Sequence, residues 1–213
     1  MREAVKGKCM GIKERREREK QDIRQKILEA AQQIITEEGF AALSMRKVAH
    51  RIEYSAASIY LHFRSREQIA QELGEAGFGM LLAKMTAALG AKDASARLRA
   101  VALAYVTFGV ENPETYRLIF MGDSEYTKAA FAKKDPESVA IKSHQLLLDL
   151  ANDLRRERSF AGRGSAREIV EMIWTSMHGI VSLHLTCVGF QLSPKALAKT
   201  MVDTLLRGLL VKA

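Results

Sequence analysis

The sequence has little cysteine, little proline and no long uninterrupted apolar run. Its 213 residues include two cysteines, Cys9 and Cys187, so neither a disulfide framework nor a paired-cysteine metal site is expected. The most apolar stretch, residues 169–190, is interrupted by Glu171, two histidines and several hydroxyls, and we do not predict a membrane span there. The charged first twenty residues lack the apolar segment of a secretory signal. We therefore expect a soluble, cytoplasmic protein.

The residue patterns that carry catalysis are also missing. No Glu-x-x-His pair occurs, which excludes the signature of di-iron helical bundles. The histidines of the second half, His144, His178 and His184, do not have the spacing of a zinc site. No glycine-rich phosphate loop is present. We predict no catalytic residue, no metal site and no cofactor.

The three prolines each follow a residue that commonly caps a helix: Asn112-Pro113, Asp135-Pro136 and Ser193-Pro194. Proline is tolerated in the first helical turn because its missing N–H would have no partner there. Ser165 and Glu168 form a capping box that opens another helix. The predicted helices cover residues 21–39, 66–89, 96–111, 113–121, 136–158, 165–187 and 194 to the end. No convincing strand alternation is found, so the predicted fold class is all-α.

The stretch from Ser44 to Gln68 predicts two short amphipathic helices followed by the start of a longer one. Apolar residues recur at helical spacing on both sides of a break, and Ser44 and Ser55 occupy N-cap positions. Ser65 with Gln68 matches a capping box. A second helix of about two turns is too short to be stable alone and must be held by packing. This pattern is typical of a helix-turn-helix, which presents its second helix to the DNA major groove.

The charge distribution agrees with DNA binding. Residues 1–66 contain 15 Lys and Arg against 9 Asp and Glu, whereas residues 67–213 contain 18 against 16. The basic excess therefore lies in the segment that contains the helix-turn-helix, as phosphate binding requires. A solvated surface with surplus lysine is the alternative explanation.

From Ile23 to Leu73 the chain resembles the DNA-binding domain of the TetR family of transcriptional regulators. The resemblance rests on IRQKILEAAQQIITEEGFAALSMRKVAHRI and SAASIYLHFRSREQIAQEL. Further on, NPETYRLIF and Trp174-x-x-x-His178-Gly179 resemble a C-terminal class of the family named for its Trp/His/Gly element. The family commonly has glycine in the turn where this chain has Glu53. A non-glycine residue at positive φ is strained, so we expect a modest cost or a differently shaped turn.

The resemblance implies an N-terminal three-helix DNA-binding domain followed by a larger helical domain for ligand binding and dimerisation. The expected domains are a mobile charged arm at 1–20, a helix-turn-helix domain at 21–68 that runs into a connecting helix to about 89, and a helical ligand-binding and dimerisation domain at 69–213. The expected partners are a double-stranded palindromic DNA operator, a second copy of the chain, and a small-molecule effector that releases the DNA. The second half of the arm could extend the first helix, although no apolar residue fixes its position. Whether the arm touches DNA is left open.

Position and resemblance together select the expected DNA contacts: Ser44, Arg46, Ser55, Ala56, Ala57, Ser58, Tyr60, His62, Arg64 and Arg66. Most of these would approach backbone phosphates, which fix the register without reading sequence. The recognition helix has only small residues at its start, so it can reach thymine methyl groups but cannot make bidentate bonds to purines. Arg46 is therefore the expected purine reader, with a plain solvent-facing arginine as the alternative. The ring of Tyr60 could instead pack in the domain core.

In the second half, apolar residues with a few polar tips are the expected ligand contacts: Tyr105, Phe108, Phe120, Met121, Trp174, Met177 and His178. The expected dimer interface lies on the last two helices: Ile173, Ile180, Val181, Leu197, Met201, Leu205 and Leu209. The aromatic and Met stripe could equally be plain core, which would leave a regulator with a filled core that is controlled by a protein partner. An all-helical enzyme with an attached DNA-binding head is the remaining alternative, and it lacks any nucleophile–base or metal constellation.

Overall fold

The structure, a computed structural model, describes residues 11–121, 137–157, 165–187, 189 and 191–209. Throughout these ranges the regular structure is helical and no strand occurs, which confirms the predicted all-α fold class. None of the helices in these ranges is long and apolar enough to cross a membrane. The chain divides into two compact units, Met1–Leu73 and Gly74–Ala213.

The first unit contains three helices and the start of a fourth. Helix α1 spans Ile12–Glu38, α2 spans Met45–Arg51, and α3 spans Ala56–Tyr60. Helix α4 spans Arg66–Ala87, and the boundary between the units falls within it, after Leu73. One face of each helix supplies the core of this unit: Ile27, Ile34, Ile35, Leu43, Val48, Ile59, Phe63 and Ile69.

Helix α1 begins earlier than the sequence analysis predicted. Its first residue is Ile12 rather than Gln21, and residues 12–20 are exposed helix. The Gly11 N–H donates to the Glu14 carboxylate at 3.0 Å, and Arg15 pairs with Glu19 one turn later at 2.9 Å. Because a helix that is already nucleated extends at little cost, these local contacts suffice without an apolar face. The remainder of the predicted arm, residues 1–10, lies outside the described residues.

The second unit is a bundle around α5. Helix α5 spans Ala94–Glu111, α6 spans Pro113–Tyr116 and continues as a π turn over Arg117–Met121, α7 spans Val139–Glu157, α8 spans Ala166–Thr186, and α9 spans Pro194–Leu209. Helix α5 packs against α6, α7, α8 and α9. Its position at the centre agrees with its apolar sequence.

Most of the predicted helix starts in this unit are confirmed. Ser165 and Glu168 form both hydrogen bonds of the capping box, and Pro113 and Pro194 are the first residues of α6 and α9. Helix α5 starts two residues before the predicted Ala96, since the Asp93 carboxylate accepts the Ala96 N–H at 2.8 Å. The predicted start at Asp135-Pro136 lies outside the described residues, and α7 is described from Val139.

The turn between α2 and α3 holds a non-glycine residue in the left-handed region. Glu53 has φ +58°, so of the two expected outcomes the strained turn is the one that the structure has. The Tyr54 N–H donates to the Ala49 carbonyl at 2.9 Å and the Glu53 N–H donates to the His50 carbonyl at 3.3 Å. These two bonds are those of a Schellman motif, whose left-handed position is usually glycine. Glu53 therefore adopts a conformation that its Cβ disfavours.

Glu53→Gly should stabilise this turn. Removing the Cβ relieves about 1–2 kcal/mol of left-handed strain, and the added freedom of glycine in the unfolded chain offsets part of it. We expect the amides of α2 and α3 to exchange with solvent roughly 2- to 5-fold more slowly, measured by hydrogen exchange. Glu53→Ala is the matched control, because it removes the same side chain but keeps the Cβ. Equal exchange in both variants would contradict a role for backbone strain.

Candidate nucleic-acid interface and effector site

The expected DNA-contacting residues are all at least partly exposed on the first unit. Ser44 and Ser55 cap α2 and α3: each side chain accepts a backbone N–H, from Lys47 at 3.2 Å and from Ser58 at 3.1 Å. Ala57 is exposed, and Ala56 and Ser58 are partly so. The first turn of α3 therefore exposes only small side chains, which lets this end of the helix approach the base edges closely.

Tyr60 has an exposed ring rather than a core position. Its exposed fraction is 55%, so the alternative in which the ring packs inside is wrong. Leu61, next to it at the end of α3, is 81% exposed and was missed by the sequence analysis. Helical spacing could have found it, because it lies off the face that Ile59 and Phe63 bury.

One arginine of α1 holds the turn that follows α3. The Arg24 guanidinium donates to the backbone carbonyl of His62 at 2.5 Å and to the carboxylate of Glu72 on α4. It also lies over the Phe63 ring, 4.2 Å from the centroid. Arg24 is itself mostly buried. A cation desolvated over a ring and bonded to a carboxylate binds more strongly than an exposed one, so this contact fixes the end of the recognition helix.

The basic side chains of this unit fall into two groups. Lys47 pairs with Glu38, Arg51 pairs with Glu37 at 2.7 Å, and Arg66 pairs with Glu67 at 2.9 Å. Among the described residues, no carboxylate pairs with the side chains of Arg46 or Arg64, and both are exposed. These two arginines can meet DNA without first breaking an ion pair. Arg66 must exchange Glu67 for a phosphate, which reduces its net contribution.

His62 is neutral at pH 7 in this environment. Burial lowers the pKa of its imidazole, and the positive charges of Arg24 and Lys20 lower that pKa further. Its Nδ1 is buried and has no hydrogen-bond partner among the described residues. Without DNA, the imidazole therefore carries no positive charge near neutral pH. A phosphate bound beside it would raise its pKa again, because a nearby anion favours the protonated form.

In the second unit, a cavity of about 20 Å³ lies among α4, α5, α7, α8 and the π turn. Its lining is mostly aromatic and apolar: Phe78, Leu81, Met85, Tyr105, Phe120, Ala140, Ser143, His144, Leu147 and Trp174. This volume corresponds to about one water molecule, so the core is almost filled in this conformation.

Only three of the seven expected ligand contacts, Tyr105, Phe120 and Trp174, line this cavity. Phe108 and Met177 are buried elsewhere in the core, and Met121 lies on the surface. His178 is not a lining residue: the Tyr116 ring stacks on its imidazole and the Phe120 ring meets it edge-on. The sequence analysis missed His144 and Met85, since no local pattern shows which faces of α4 and α7 converge.

A chain of hydrogen-bonded polar groups begins at Tyr105, which lines the cavity. Tyr105 and Tyr116 hydroxyls lie 3.1 Å apart, and the Tyr116 hydroxyl lies 2.7 Å from His178 Nδ1. An unprotonated Nδ1 accepts from the Tyr116 hydroxyl, whose oxygen then accepts from the Tyr105 hydroxyl. Burial raises the pKa of both tyrosines and lowers the pKa of His178, so all three are neutral.

The expected dimer-interface residues divide between the interior and a surface groove. Ile180, Leu197 and Met201 line an apolar groove of about 440 Å³ between α8 and α9, together with Leu183 and Leu192. Leu205 is partly buried against the core, and the side chain of Leu209 lies outside the described part of the chain.

Two of the expected interface residues were assigned wrongly. Ile173 is 2% exposed and Val181 0%, so both belong to the core of their own chain and cannot contact a partner. They share the inward face of α8 with Met177, four residues from each. The surface residue that the sequence analysis missed is Leu183, which is 45% exposed in the groove.

These features define a helix-turn-helix DNA-binding protein with a separate helical body. Residues 27–73 match the family described as bacterial regulatory proteins, tetR family, and residues 98–205 match the tetracyclin repressor-like C-terminal domain. The chain belongs to the TetR family of transcriptional regulators. It is accordingly a DNA-binding regulator of transcription and not an enzyme.

Three similar proteins illustrate the match. An uncharacterized HTH-type transcriptional regulator of Bacillus subtilis, YobS, is 25% identical over 157 residues, covering 74% of this chain and 76% of its own length. A protein of unknown function from Rhodococcus sp. RHA1 has a similar structure, with TM-score 0.74, 25% identity and coverage of 89% and 96%. The TetR-family regulator PfmR from Thermus thermophilus shares the fold, with TM-score 0.63, 21% identity and coverage of 86% and 98%.

The polar chain makes stability depend on pH through His178. Its pKa in the folded protein lies below the ordinary 6.5, so the unfolded chain takes up the proton first as pH falls. We expect the free energy of unfolding to decrease below about pH 6.5. In His178→Asn the amide oxygen still accepts from Tyr116 but cannot be protonated, so the decrease should be shallower. The difference should stay below about 1.4 kcal/mol per pH unit, because water reaches the half-buried ring.

The measurement is chemical denaturation of both proteins between pH 5 and pH 7.5, compared by slope rather than by absolute stability. His62 and His144, whose pKa values are also lowered by burial, remain in both proteins and cancel. Identical slopes would show that the pKa of His178 is the same in the folded and unfolded protein.

Proposed function

We propose that this regulator is a homodimeric repressor that binds an inverted-repeat operator and leaves it when a small molecule enters the second unit. The observation that carries the DNA half of this proposal is the surface around α3. A capped helix whose first turn exposes only small side chains belongs to the same unit as Arg46 and Arg64, which have no carboxylate partner among the described residues. Such a surface suits close entry into the major groove with few direct base contacts.

The short recognition helix supports a dimer. Helix α3 offers few groups that discriminate bases, and paired half-sites are the usual way such a helix reaches useful specificity. The α8–α9 groove supplies an apolar surface that a second copy can cover, because Leu183 and Leu192 are exposed there. An exposed apolar surface with this lining is typical of an interface centre.

The response to an effector would act through α4. Phe78, Leu81 and Met85 of this helix line the cavity, and the same helix begins at Arg66 in the DNA-binding unit. On α4, a Cβ added to Gly77 would lie 2.8 Å from the Thr115 Cγ2, so α6 packs directly on this helix. A ligand shifts the protein away from DNA only by the difference in its affinity for the two conformations.

The small cavity favours one alternative, a regulator whose core stays filled and whose activity is controlled by a protein partner. In that case no small molecule would change operator affinity. Screening molecules of varied charge for operator release would distinguish the two proposals.

Arg46 should read one base pair of each half-site. Arg46→Ala is expected to weaken operator binding by about 1–3 kcal/mol per half-site and to relax preference at one position. Arg46→Lys should recover only part of this, because an ammonium cannot reproduce the planar fork of the guanidinium. The operator would first be located by footprinting DNA upstream of the protein's own coding sequence. Binding would then be measured on operators carrying each base at each position.

Lys47→Ala is the control for Arg46, since Lys47 lies on the same helix but is paired with Glu38. Lys47→Ala should leave base preference unchanged. If Arg46→Ala weakens all operators equally, Arg46 is a phosphate contact and sequence is read through groove shape or His62.

Leu183→Glu should convert the dimer into monomers. The substitution places a charge in the apolar groove, where a partner would bury it without a counter-ion. Leu103→Glu is the control, since Leu103 is exposed to a similar extent on α5, outside this groove. Sedimentation velocity would report the state of both variants. A dimer that persists in Leu183→Glu would place the interface elsewhere.

A further inference from the structure

We propose that the indole of Trp174 occupies the place of the effector, which is an uncharged, flat, bicyclic aromatic molecule with one hydrogen-bond donor. The inference rests on the proposed ligand response, because it names the chemical class that would act there. The site is the cavity in the second unit, and the protein's own side chain shows what fits it.

The cavity is surrounded by rings. Phe78, Tyr105, Phe120, His144 and Trp174 all line it. The Trp174 indole meets the His144 ring edge-on at 5.9 Å and the Phe120 ring edge-on at 6.5 Å, measured between centroids. Such edge-to-face contacts favour another flat ring in the same place over a branched aliphatic molecule.

The lining carries no charge that could hold an ionised ligand. Among the described residues that line the cavity there is no Lys, Arg, Asp or Glu. His144 is the one titratable imidazole there, and burial, aided by the positive charge of Arg167, lowers its pKa, with Glu171 opposing. A ligand carboxylate or ammonium group buried in this cavity would lose its hydration without gaining a counter-ion. The ligand is therefore uncharged.

The hydrogen-bond chain specifies the donor. Tyr105 lines the cavity, and its hydroxyl donates to Tyr116, which donates in turn to His178 Nδ1. The Tyr105 oxygen can therefore accept a hydrogen bond from a ligand beside it. An N–H or O–H on the ligand would supply that bond, whereas an aromatic hydrocarbon would not.

Displacement of Trp174 also explains how a ligand could bind although the cavity is so small. A space of about 20 Å³ cannot hold an aromatic ring, for which cavities of roughly 150 Å³ are needed. Trp174 is only half-buried on α8, so its ring can turn outward, and the flexible Met85 side chain on α4 can adapt to a new occupant. The ligand then stabilises a minor conformation of the protein.

The first test removes the Trp174 side chain from the proposed ligand site. Trp174→Ala should bind one indole per chain, measured by calorimetry and by a rise in the thermal midpoint. 1-Methylindole, which has no donor, should bind about 2- to 10-fold more weakly, and indole-3-carboxylate should not bind measurably. Met177→Ala is the control, because Met177 lies on the same helix but does not line this cavity. Any binding to this variant should not distinguish indole from 1-methylindole.

Each departure from this pattern overturns part of the proposal. Equal affinity for indole and 1-methylindole would contradict the hydrogen-bond donor, and tighter binding of indole-3-carboxylate would contradict an uncharged ligand. If Trp174→Ala folds but does not bind indole, the cavity is not the ligand site.

The second test uses the wild-type protein, so it does not depend on the variant's folding. Trp174 is the single tryptophan of the chain, and 5-fluorotryptophan in its place gives one fluorine resonance. Adding 2-naphthol should move this resonance to its solvent-exposed position, whereas 2-naphthoate should leave it in place. Binding of 2-naphthol without any change at Trp174 would overturn displacement.

Operator release, measured in parallel, separates the two levels of proposal. If only charged molecules release the operator, the inferred ligand class is wrong and the ligand-responsive repressor stands. If uncharged aromatics displace Trp174 without weakening operator binding, the inferred binding site is supported and the proposed release of DNA by a ligand is wrong.

Discussion

A helix of five residues has no stability of its own in water, so the DNA-binding unit depends on the contacts that hold α3 in place. Ile59 anchors it in the core, Ser55 caps its first turn, and the strained Glu53 turn sets its entry from α2. Arg24 secures its exit by binding the His62 carbonyl and Glu72 together. Because these contacts hold α3 in place, side chains at the start of its outer face are not needed for packing and can be small.

Hydrogen bonding between polar groups governs the second unit in a similar way. Its core contains three neutral, titratable side chains, Tyr105, Tyr116 and His178, that are tolerated only because each is hydrogen-bonded to the next. Tyr105 is the member of this chain that lines the cavity. A ligand that enters there can therefore gain a hydrogen bond as well as fill space. This bond links the choice of ligand to the conformation of α4 and α8, whose side chains form the walls.

Local patterns were sufficient for much of the fold. The caps at Ser44, Ser55 and Ser165 and the proline starts of α6 and α9 were predicted, because each is set by residues within one turn. The start of α1 was predicted at Gln21 with an extension into the arm left open, since an ion pair rather than apolar residues supports the first turns.

Properties that depend on packing could not be predicted in the same way. Helix α8 is apolar on most of its circumference, so the sequence did not show that Ile173 and Val181 face inward while Leu183 faces the groove. The role of Arg24 depends on residues 38 and 48 positions away, and the participation of His144 depends on how α7 meets α8.

The central claim is that this chain recognises a specific DNA sequence as a symmetric pair. Selection of binding sites by the purified protein from a random pool of duplex DNA, at physiological salt, tests it most directly. The account predicts enrichment of one short sequence present twice in inverted orientation, with half-sites about 10 base pairs apart or a multiple of that spacing. Enrichment of a single unrepeated site, or of no sequence at all, would contradict it.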